Sequence, residues 1–452
     1  MSVWPSGRPL VPILSELEHL YCLFQHCEGH LMAPTTRKRK YLPRIVDNVL
    51  GQRLRSHGAV LIEGPKACGK TSTARQLAAS EVRLDADVAM RRAGLAEPAI
   101  LLEGPTPRLI DEWQRVPDVW DAVRNAVDDR QQDGQFILTG SATPSEALIR
   151  HSGAMRVSRL QMRPMSLFES GDSTGAISLA ALLTGEKLTA VPPAHDLTAI
   201  AELTCRGGWP ANLNRSIDDA QQSARDYLDT IAGTDLSEVD GIRRDPRKVK
   251  ALLFSLARHN ATYTDLKVLA ADATGQGEPV TSKTVSTYLD PLLRLWVVDE
   301  QYAWGGHLRS AAQVRSKPKR HLIDPSLAVA ALGADPSALL ADRETFGFQF
   351  ESLVYRDLCV YAHALGGQVR AYRDSRDVEV DAIVMGPKNQ WVALEVKLSG
   401  SDAVLELAAK SLLRFADSMT TAPASLGIVV ATGPSYRRTD GVHVISIGTL
   451  GP

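Results

Sequence analysis

Eight residues, Gly64-Pro65-Lys66-Ala67-Cys68-Gly69-Lys70-Thr71, follow the pattern G-x-x-x-x-G-K-T. The pattern comes directly after an apolar run, Ala59-Val60-Leu61-Ile62, and before a helical segment expected over 71–79. That context is what its chemistry needs. Glycines let the backbone curl, so that successive N–H groups point at phosphate oxygens. The start of the following helix adds its positive end. In such an arrangement Lys70 reaches the β- and γ-phosphates, the Thr71 hydroxyl ligates Mg²⁺, and Ser72 continues the cradle. These residues predict binding of ATP with magnesium.

A phosphate loop needs a carboxylate that holds magnesium at the end of a neighbouring strand. Leu109-Ile110-Asp111-Glu112 supplies it. Asp111 is expected to orient the metal and Glu112 to polarise the attacking water. The alternative is two solvated acids at a helix start. Phe136-Ile137-Leu138 begins a further strand that ends in Thr139-Gly140-Ser141, where Ser141 can sense the γ-phosphate; the same residues are also ordinary turn chemistry. Arg150, Arg156, Arg159 and Arg163 follow. Arg156 is the favoured arginine finger, inserted into a neighbour's site; surface or interdomain ion pairing is the competing reading for each.

A second set of charges lies near the C-terminus. Val392, Leu394 and Val396 alternate with Glu395 and Lys397, which therefore share one face of a strand. Val378, Val380, Ala382 and Val384 put Asp381 on the face opposite them. If the turn Gly386-Pro387-Lys388-Asn389-Gln390 is symmetric about Lys388, Asp381 lies opposite Glu395, where like charges repel. A divalent cation relieves that repulsion, and so does Lys397. With Glu351 on a preceding helix, the acids read either as a metal site or as a scaffold paired with Lys397, Arg373 or Arg376.

The 452 residues suggest two to four domains. A net charge of −1 argues against a global basic field, though not against a local basic face. The five cysteines, Cys22, Cys27, Cys68, Cys205 and Cys359, are scattered and odd in number, which fits a reducing cytoplasm. No apolar run approaches the ~20 residues that span a bilayer. Residues 1–31 stand apart as a disordered or misassigned tail, with the functional chain expected to begin near Met32. His19, Cys22, His26, Cys27 and His30 in that tail fit no zinc template well.

Strand–helix alternation over 32–170 predicts a parallel sheet covered on both faces. Residues 171–240 read as mostly helical. Residues 241–335 read as a small helical module, with Val249, Leu252, Leu253 and Leu256, then Val285, Tyr288, Leu289 and Leu292, at helical spacing. Thr281 is expected to cap the second of these helices and Pro291 to end or kink it. Arg315, Lys317, Lys319 and Arg320 form a nearby basic cluster that reads as a solvated surface or a duplex contact. Residues 336–452 are expected as helix, three strands, helix and strand.

With these motifs in hand, the chain resembles prokaryotic AAA-type ATPases that carry a winged-helix segment and a C-terminal restriction-endonuclease-like domain of unknown function. The resemblance runs from Tyr41-Leu42-Pro43-Arg44-Ile45-Val46-Asp47 through the phosphate loop, Ile110-Asp111-Glu112 and Leu138-Thr139-Gly140-Ser141. It continues through Arg163-Pro164-Met165-Ser166-Leu167-Phe168-Glu169, Gly207-Gly208-Trp209-Pro210 and Glu395-Val396-Lys397. It implies an α/β fold: a P-loop NTPase parallel sheet, a helical lid over 171–240, a winged-helix module over 241–335 and an α/β nuclease-like domain. In a nuclease of that kind Glu351, Asp381 and Glu395 would be metal ligands and Lys397 would orient water or stabilise charge. Lys66-Ala67-Cys68 departs from the commoner filling of the loop.

Three functions remain open on the sequence. The first is a Mg-dependent ATPase that couples hydrolysis to engagement of DNA or a protein partner, as a homo-oligomer if an arginine acts in trans. The second is an ATP-regulated, metal-dependent DNA nuclease. The third is a nucleotide switch with negligible turnover.

Overall fold

The computed structural model describes residues 40–141, 153–274, 279–306, 317–374 and 378–452. Leu42–Pro452 form one compact unit. The tail and its His and Cys residues, Met32, Arg150, Arg315 and Arg376 lie outside the described residues.

Helix α1 (Ile45–Leu54) leads into β1 (Ala59–Glu63), every residue of which is buried. Then come α2 (Lys70–Ala74), β2 (Ser80–Arg83), β3 (Arg108–Asp111), α3 (Val119–Arg130), β4 (Phe136–Gly140) and β5 (Val157–Gln161). The five strands are parallel, in the order β2-β3-β4-β1-β5. A parallel sheet must be covered on both faces, and strand alternation sorts the cover. Val60, Ile62, Leu109, Ile137 and Leu160 meet Val46, Val49 and Leu50 of α1. Leu61, Ile110, Phe136 and Leu138 meet Trp120, Val123 and Val127 of α3. Helix α2 is shorter than expected. After Ala74 the amides of Gln76 and Leu77 bond three residues back, and Ala79 N–H already bonds the Pro107 carbonyl beside β3.

Residues 171–240 do not pack as one lid. Strand β6 (Ile177–Ser178) pairs with the last strand of the chain, and Leu179, Leu182, Ile200 and Leu203 join the core of the C-terminal sheet. Trp209, α4 (Ile217–Thr230), the π-helical turn Ile231–Asp235 and the residues after it join the core of the nucleotide-binding half instead, through Ala224, Leu228, Ile231, Ala232, Leu236 and Val239.

Next come α5 (Pro246–Arg258), α6 (Leu266–Thr274) and α7 (Ser282–Arg294), then an antiparallel pair, β7 (Val298–Gln301) and β8 (Lys319–Leu322). An isolated bridge joins Thr262 to Arg320. The expected apolar stripes are buried, Tyr288 only partly. Thr281 Oγ1 accepts from Thr284 N–H at 3.1 Å. Pro291 does not end α7, which runs three residues past it.

The C-terminal half contains α8 (Pro325–Leu332), the 22-residue α9 (Arg343–Ala364), β9 (Gln368–Arg373), β10 (Glu379–Met385), β11 (Trp391–Lys397), α10 (Asp402–Asp417), β12 (Ser425–Val430), β13 (Tyr436–Arg437), β14 (His443–Ser446) and β15 (Leu450–Gly451). The larger sheet runs β13-β14-β12-β11-β10-β9. Helix α9 covers one face and α10 the other. Ala382 pairs with Leu394, so the register is the one a turn centred on Lys388 gives, and Asp381 and Glu395 lie one step beyond. Strict alternation fails in β10. The pairing with β9 shifts between Val380 and Ile383, so Val380 packs under α10 with Ile383 while Ala382 and Val384 pack under α9.

Candidate nucleotide-binding site and acidic cluster

The chain leaves β1 through Gly64 at φ 152°, Ala67 at φ 64° and Gly69 at φ 106°. A Cβ on Gly64 would lie 2.1 Å from the Met162 carbonyl oxygen, so only glycine lets the loop cross β5 this closely. Lys70 is buried. Its Nζ donates to the carbonyl oxygens of Gly64 (2.9 Å) and Pro65 (2.8 Å), which aims the ammonium into the bight of the loop.

Strand order brings the acids to the loop. Asp111 ends β3 opposite Thr139 of β4, and Thr139 faces Ile62 of β1. The Thr71 hydroxyl donates to Asp111 Oδ1 at 2.7 Å, and the Thr139 hydroxyl donates to the same oxygen. A hydroxyl and a carboxylate in contact are the hard oxygen donors that Mg²⁺ takes while keeping several waters, so Thr71 and Asp111 fit that ion. Glu112 leaves the strand in the left-handed region, at φ 56°. Its Oε1 accepts from Ser141 Oγ at 3.0 Å and its Oε2 from Gln114 Nε2.

Three further residues brace the site, two at the loop and one at Glu112. Arg44, nearly fully buried, donates from Nη1 to the Cys68 carbonyl (2.9 Å), from Nη2 to the Arg163 carbonyl (2.9 Å) and from Nε to Glu169 (3.0 Å). Asp235, in the π-helical turn, pairs with Lys66 at 2.7 Å. Gln114 holds Glu112, as above. No local pattern marks Arg44 or Asp235; Gln114 stands two residues after the acid pair.

The arginines divide. Arg156 precedes β5, where its carbonyl accepts from Ala59 N–H at the start of β1, and its side chain forms an exposed pair with Asp128 at 2.8 Å. The phosphate loop leaves the other end of β1, roughly 15 Å away at strand rise. Arg156 therefore cannot serve its own site. Arg159 pairs with Glu63 at 3.4 Å. Arg163 is buried against Asp299 of β7 at 2.5 Å, and Tyr355 donates to the same carboxylate oxygen at 2.9 Å.

The C-terminal carboxylates do come together, but around lysines. Lys319 of β8, with its side chain 2% exposed, places Nζ 2.6 Å from Glu351, 3.1 Å from Glu379 and 3.5 Å from Asp381. Lys397 Nζ lies 2.5 Å from Glu395 and 3.3 Å from Asp381, which also accepts from Val396 N–H at 2.8 Å. Burial pushes Glu351 up to about 7 against the pull of Lys319. Burial, with Asp381 adding to it, pushes Glu395 up to about 8. For Asp381 burial is outweighed by Lys319 and Lys397, and its carboxyl stays below the ordinary range. Among the described residues no group of three or more His, Cys, Asp or Glu side chains is arranged to hold a metal. Glu351, Asp381 and Glu395, expected as metal ligands, thus each contact a lysine ammonium.

The expected basic cluster is also spent internally. Lys317 pairs with Asp265 at 2.5 Å and Arg320 with Glu300 at 3.0 Å, while Lys319 turns inward. Alternation along β8 causes this: Lys319 and His321 face the C-terminal half, and Arg320 faces the other way.

Fold and site together define a class, a P-loop ATPase-like domain of AAA type. A family model for the AAA domain matches residues 56–170. Residues 197–338 match a domain of unknown function (DUF8612), and residues 346–450 match another (DUF4143). The chain is 26% identical over 361 residues to the uncharacterized protein Rv2008c of Mycobacterium tuberculosis and likewise to Mb2031c of Mycobacterium bovis, covering 78% of this chain and 74% of each relative. Among solved structures, the Walker-type ATPase paby2304 of Pyrococcus abyssi is similar at 14% identity and a TM-score of 0.40, over 66% of this chain and 98% of that one. Drosophila ORC bound to DNA is similar at 15% identity and a TM-score of 0.22, over 74% of this chain and 96% of that one. Both structural likenesses are too distant to bear on function. No helix among the described residues is long and apolar enough to cross a membrane.

Proposed function

We propose that the chain binds ATP with Mg²⁺ at residues 64–71, hydrolyses it, and uses the nucleotide state to change how its C-terminal half engages a nucleic-acid or protein partner. The contact of Thr71 with Asp111 at 2.7 Å carries this reading, because it joins the end of the phosphate loop to the acid two strands away. Backbone N–H groups of the loop and Lys70 bind the triphosphate oxygens. Thr71 and Asp111 would hold Mg²⁺, which would supply charge to neutralise those oxygens. Glu112 orients the attacking water once Ser141 and Gln114 release its carboxylate, and Ser141 responds to the γ-phosphate.

A short route supports coupling. Arg44 grips the loop at Cys68 and the chain at Arg163, and the Arg163 guanidinium pairs with Asp299 on β7. Three helices followed by a hairpin, with an isolated bridge from Thr262 to Arg320 beside it, support the winged-helix reading of 241–335. An arginine finger at Arg156 would require a neighbouring copy, and hence a homo-oligomer, because Arg156 lies at the opposite end of β1 from the loop. Lys319, seated among the acids, weighs against metal-dependent nuclease activity.

The test is Mg²⁺-dependent phosphate release by the wild type, Lys70→Ala and Glu112→Gln. Turnover present in the wild type and lost in both variants is the expected outcome. A wild type no faster than Glu112→Gln would leave a nucleotide switch without hydrolysis.

A further inference from the structure

The order of helix, three strands, helix and strand in 343–430 resembles nuclease-like folds and implies a divalent cation among Glu351, Asp381 and Glu395. The residues present do not fit one. The Lys319 ammonium already lies within 3.5 Å of Glu351, Glu379 and Asp381, and that of Lys397 bridges Asp381 and Glu395. A dication on Glu351 and Asp381 would have to share their oxygens with the Lys319 ammonium in a buried place, where like charges repel most strongly. Tyr263 closes the other side of Lys319, its ring centroid 5.3 Å from Nζ.

Lys319 does not belong to the nuclease-like unit. It comes from β8, the strand that ends the three-helix module. The same hairpin is docked by neutral contacts. Gln301 Nε2 of β7 donates to the carbonyl oxygens of Asp381 (2.8 Å) and Arg370 (3.0 Å). The His321 ring of β8 stacks on Tyr355 of α9 at 4.1 Å between centroids. We propose that Lys319 is the resident cation of the acidic cluster, and that the cluster is an ionic clasp fastening the hairpin β7–β8 to the C-terminal sheet in place of a divalent-metal centre. An ammonium on a strand can serve as both charge and tether, which a free ion cannot. The hairpin held this way also carries Asp299, the partner of Arg163, whose carbonyl shares the Arg44 guanidinium with the Cys68 carbonyl of the phosphate loop.

Two measurements on the full chain without nucleotide test the clasp independently of any ATPase activity. In the first, Mn²⁺ uptake is followed by the loss of its free aqueous electron paramagnetic resonance signal. The wild type and Asp381→Asn are expected to take up Mn²⁺ equally; uptake by the wild type that Asp381→Asn or Glu351→Gln abolishes would overturn the proposal. In the second, hydrogen exchange is compared between Lys319→Met and the charge-retaining Lys319→Arg. Amides of β8 and β10 are expected to exchange at least tenfold faster in Lys319→Met than in Lys319→Arg, with β1 unchanged. Equal exchange in the two variants would overturn the clasp. Should Lys319→Met not fold, the Mn²⁺ comparison decides alone.

Discussion

The Arg44 guanidinium holds the phosphate loop by the Cys68 carbonyl, Nη1 to O at 2.9 Å. The same group reaches Glu169, whose carboxylate also accepts from Ile45 N–H (2.9 Å) and Ser166 N–H (2.9 Å). One buried ion pair therefore ties the helix before β1, the middle of the loop and the segment after β5.

Removing Arg44 should cost both stability and binding. Arg44→Met leaves Glu169, 1% exposed, as an uncompensated buried charge, which typically costs about 3–5 kcal/mol. Denaturant unfolding measures that loss, and nucleotide titration of the folded variant should show weaker ATP binding. Arg44→Lys keeps the charge without the fork and should fall between.

Around Glu112 the expected effects separate binding from turnover. Glu112→Gln should bind ATP as the wild type does while hydrolysing it roughly 10²–10⁴-fold more slowly. Gln114→Ala frees the carboxylate without removing it, so it should change turnover by less than about tenfold, while Ser141→Ala, which also removes the γ-phosphate sensor, should slow it more. Single-turnover assays beside equilibrium binding distinguish these outcomes.

Two glycines make a matched pair. Gly64→Ala drives a methyl to 2.1 Å from the Met162 carbonyl and imposes a side chain on φ 152°, so ATP binding should be lost. Gly233, in the π-helical turn, has nothing within 4 Å of its would-be Cβ. Gly233→Ala should be neutral or stabilise by about 0.5–1 kcal/mol. Thermal melts and ATP titration of both variants check the contrast.

His321 gives the protein an acid-sensitive joint. Burial, with help from Lys319, lowers it to about 3 from 6.5. Its folded-state value is depressed, so the unfolded chain takes the proton first. The stability it contributes is complete above about 6.5 and is lost as pH falls from there towards 3. The slope from one proton is at most about 1.4 kcal/mol per pH unit. Unfolding free energies measured from pH 7 to pH 5 should fall less steeply in His321→Gln than in the wild type.

Much of the nucleotide site is legible in the sequence because its chemistry is local. Glycine, lysine and threonine at fixed spacing encode the loop, and an acid pair after a short apolar run finds Thr71 once the strands are ordered. The register of β10 on β11 is legible too, because a turn centred on Lys388 fixes it. Arg44 is not, since its partner Glu169 lies 125 residues away. Lys319 misleads: in a run with Lys317 and Arg320 it reads as surface, yet strand alternation turns it into the interior to meet Glu351, 32 residues on. The helical pattern of 171–240 says nothing of which core each helix joins, and the pairing of β6 with β15 decides that from the far end of the chain.

Titration calorimetry of the full chain with ATP and Mg²⁺, beside Lys70→Ala, reads nucleotide binding at the loop itself. A single-site isotherm is expected for the wild type, weakened at least about tenfold when the Lys70 ammonium is removed. No uptake of ATP by the wild type, or equal uptake by Lys70→Ala, would contradict a triphosphate site at residues 64–71.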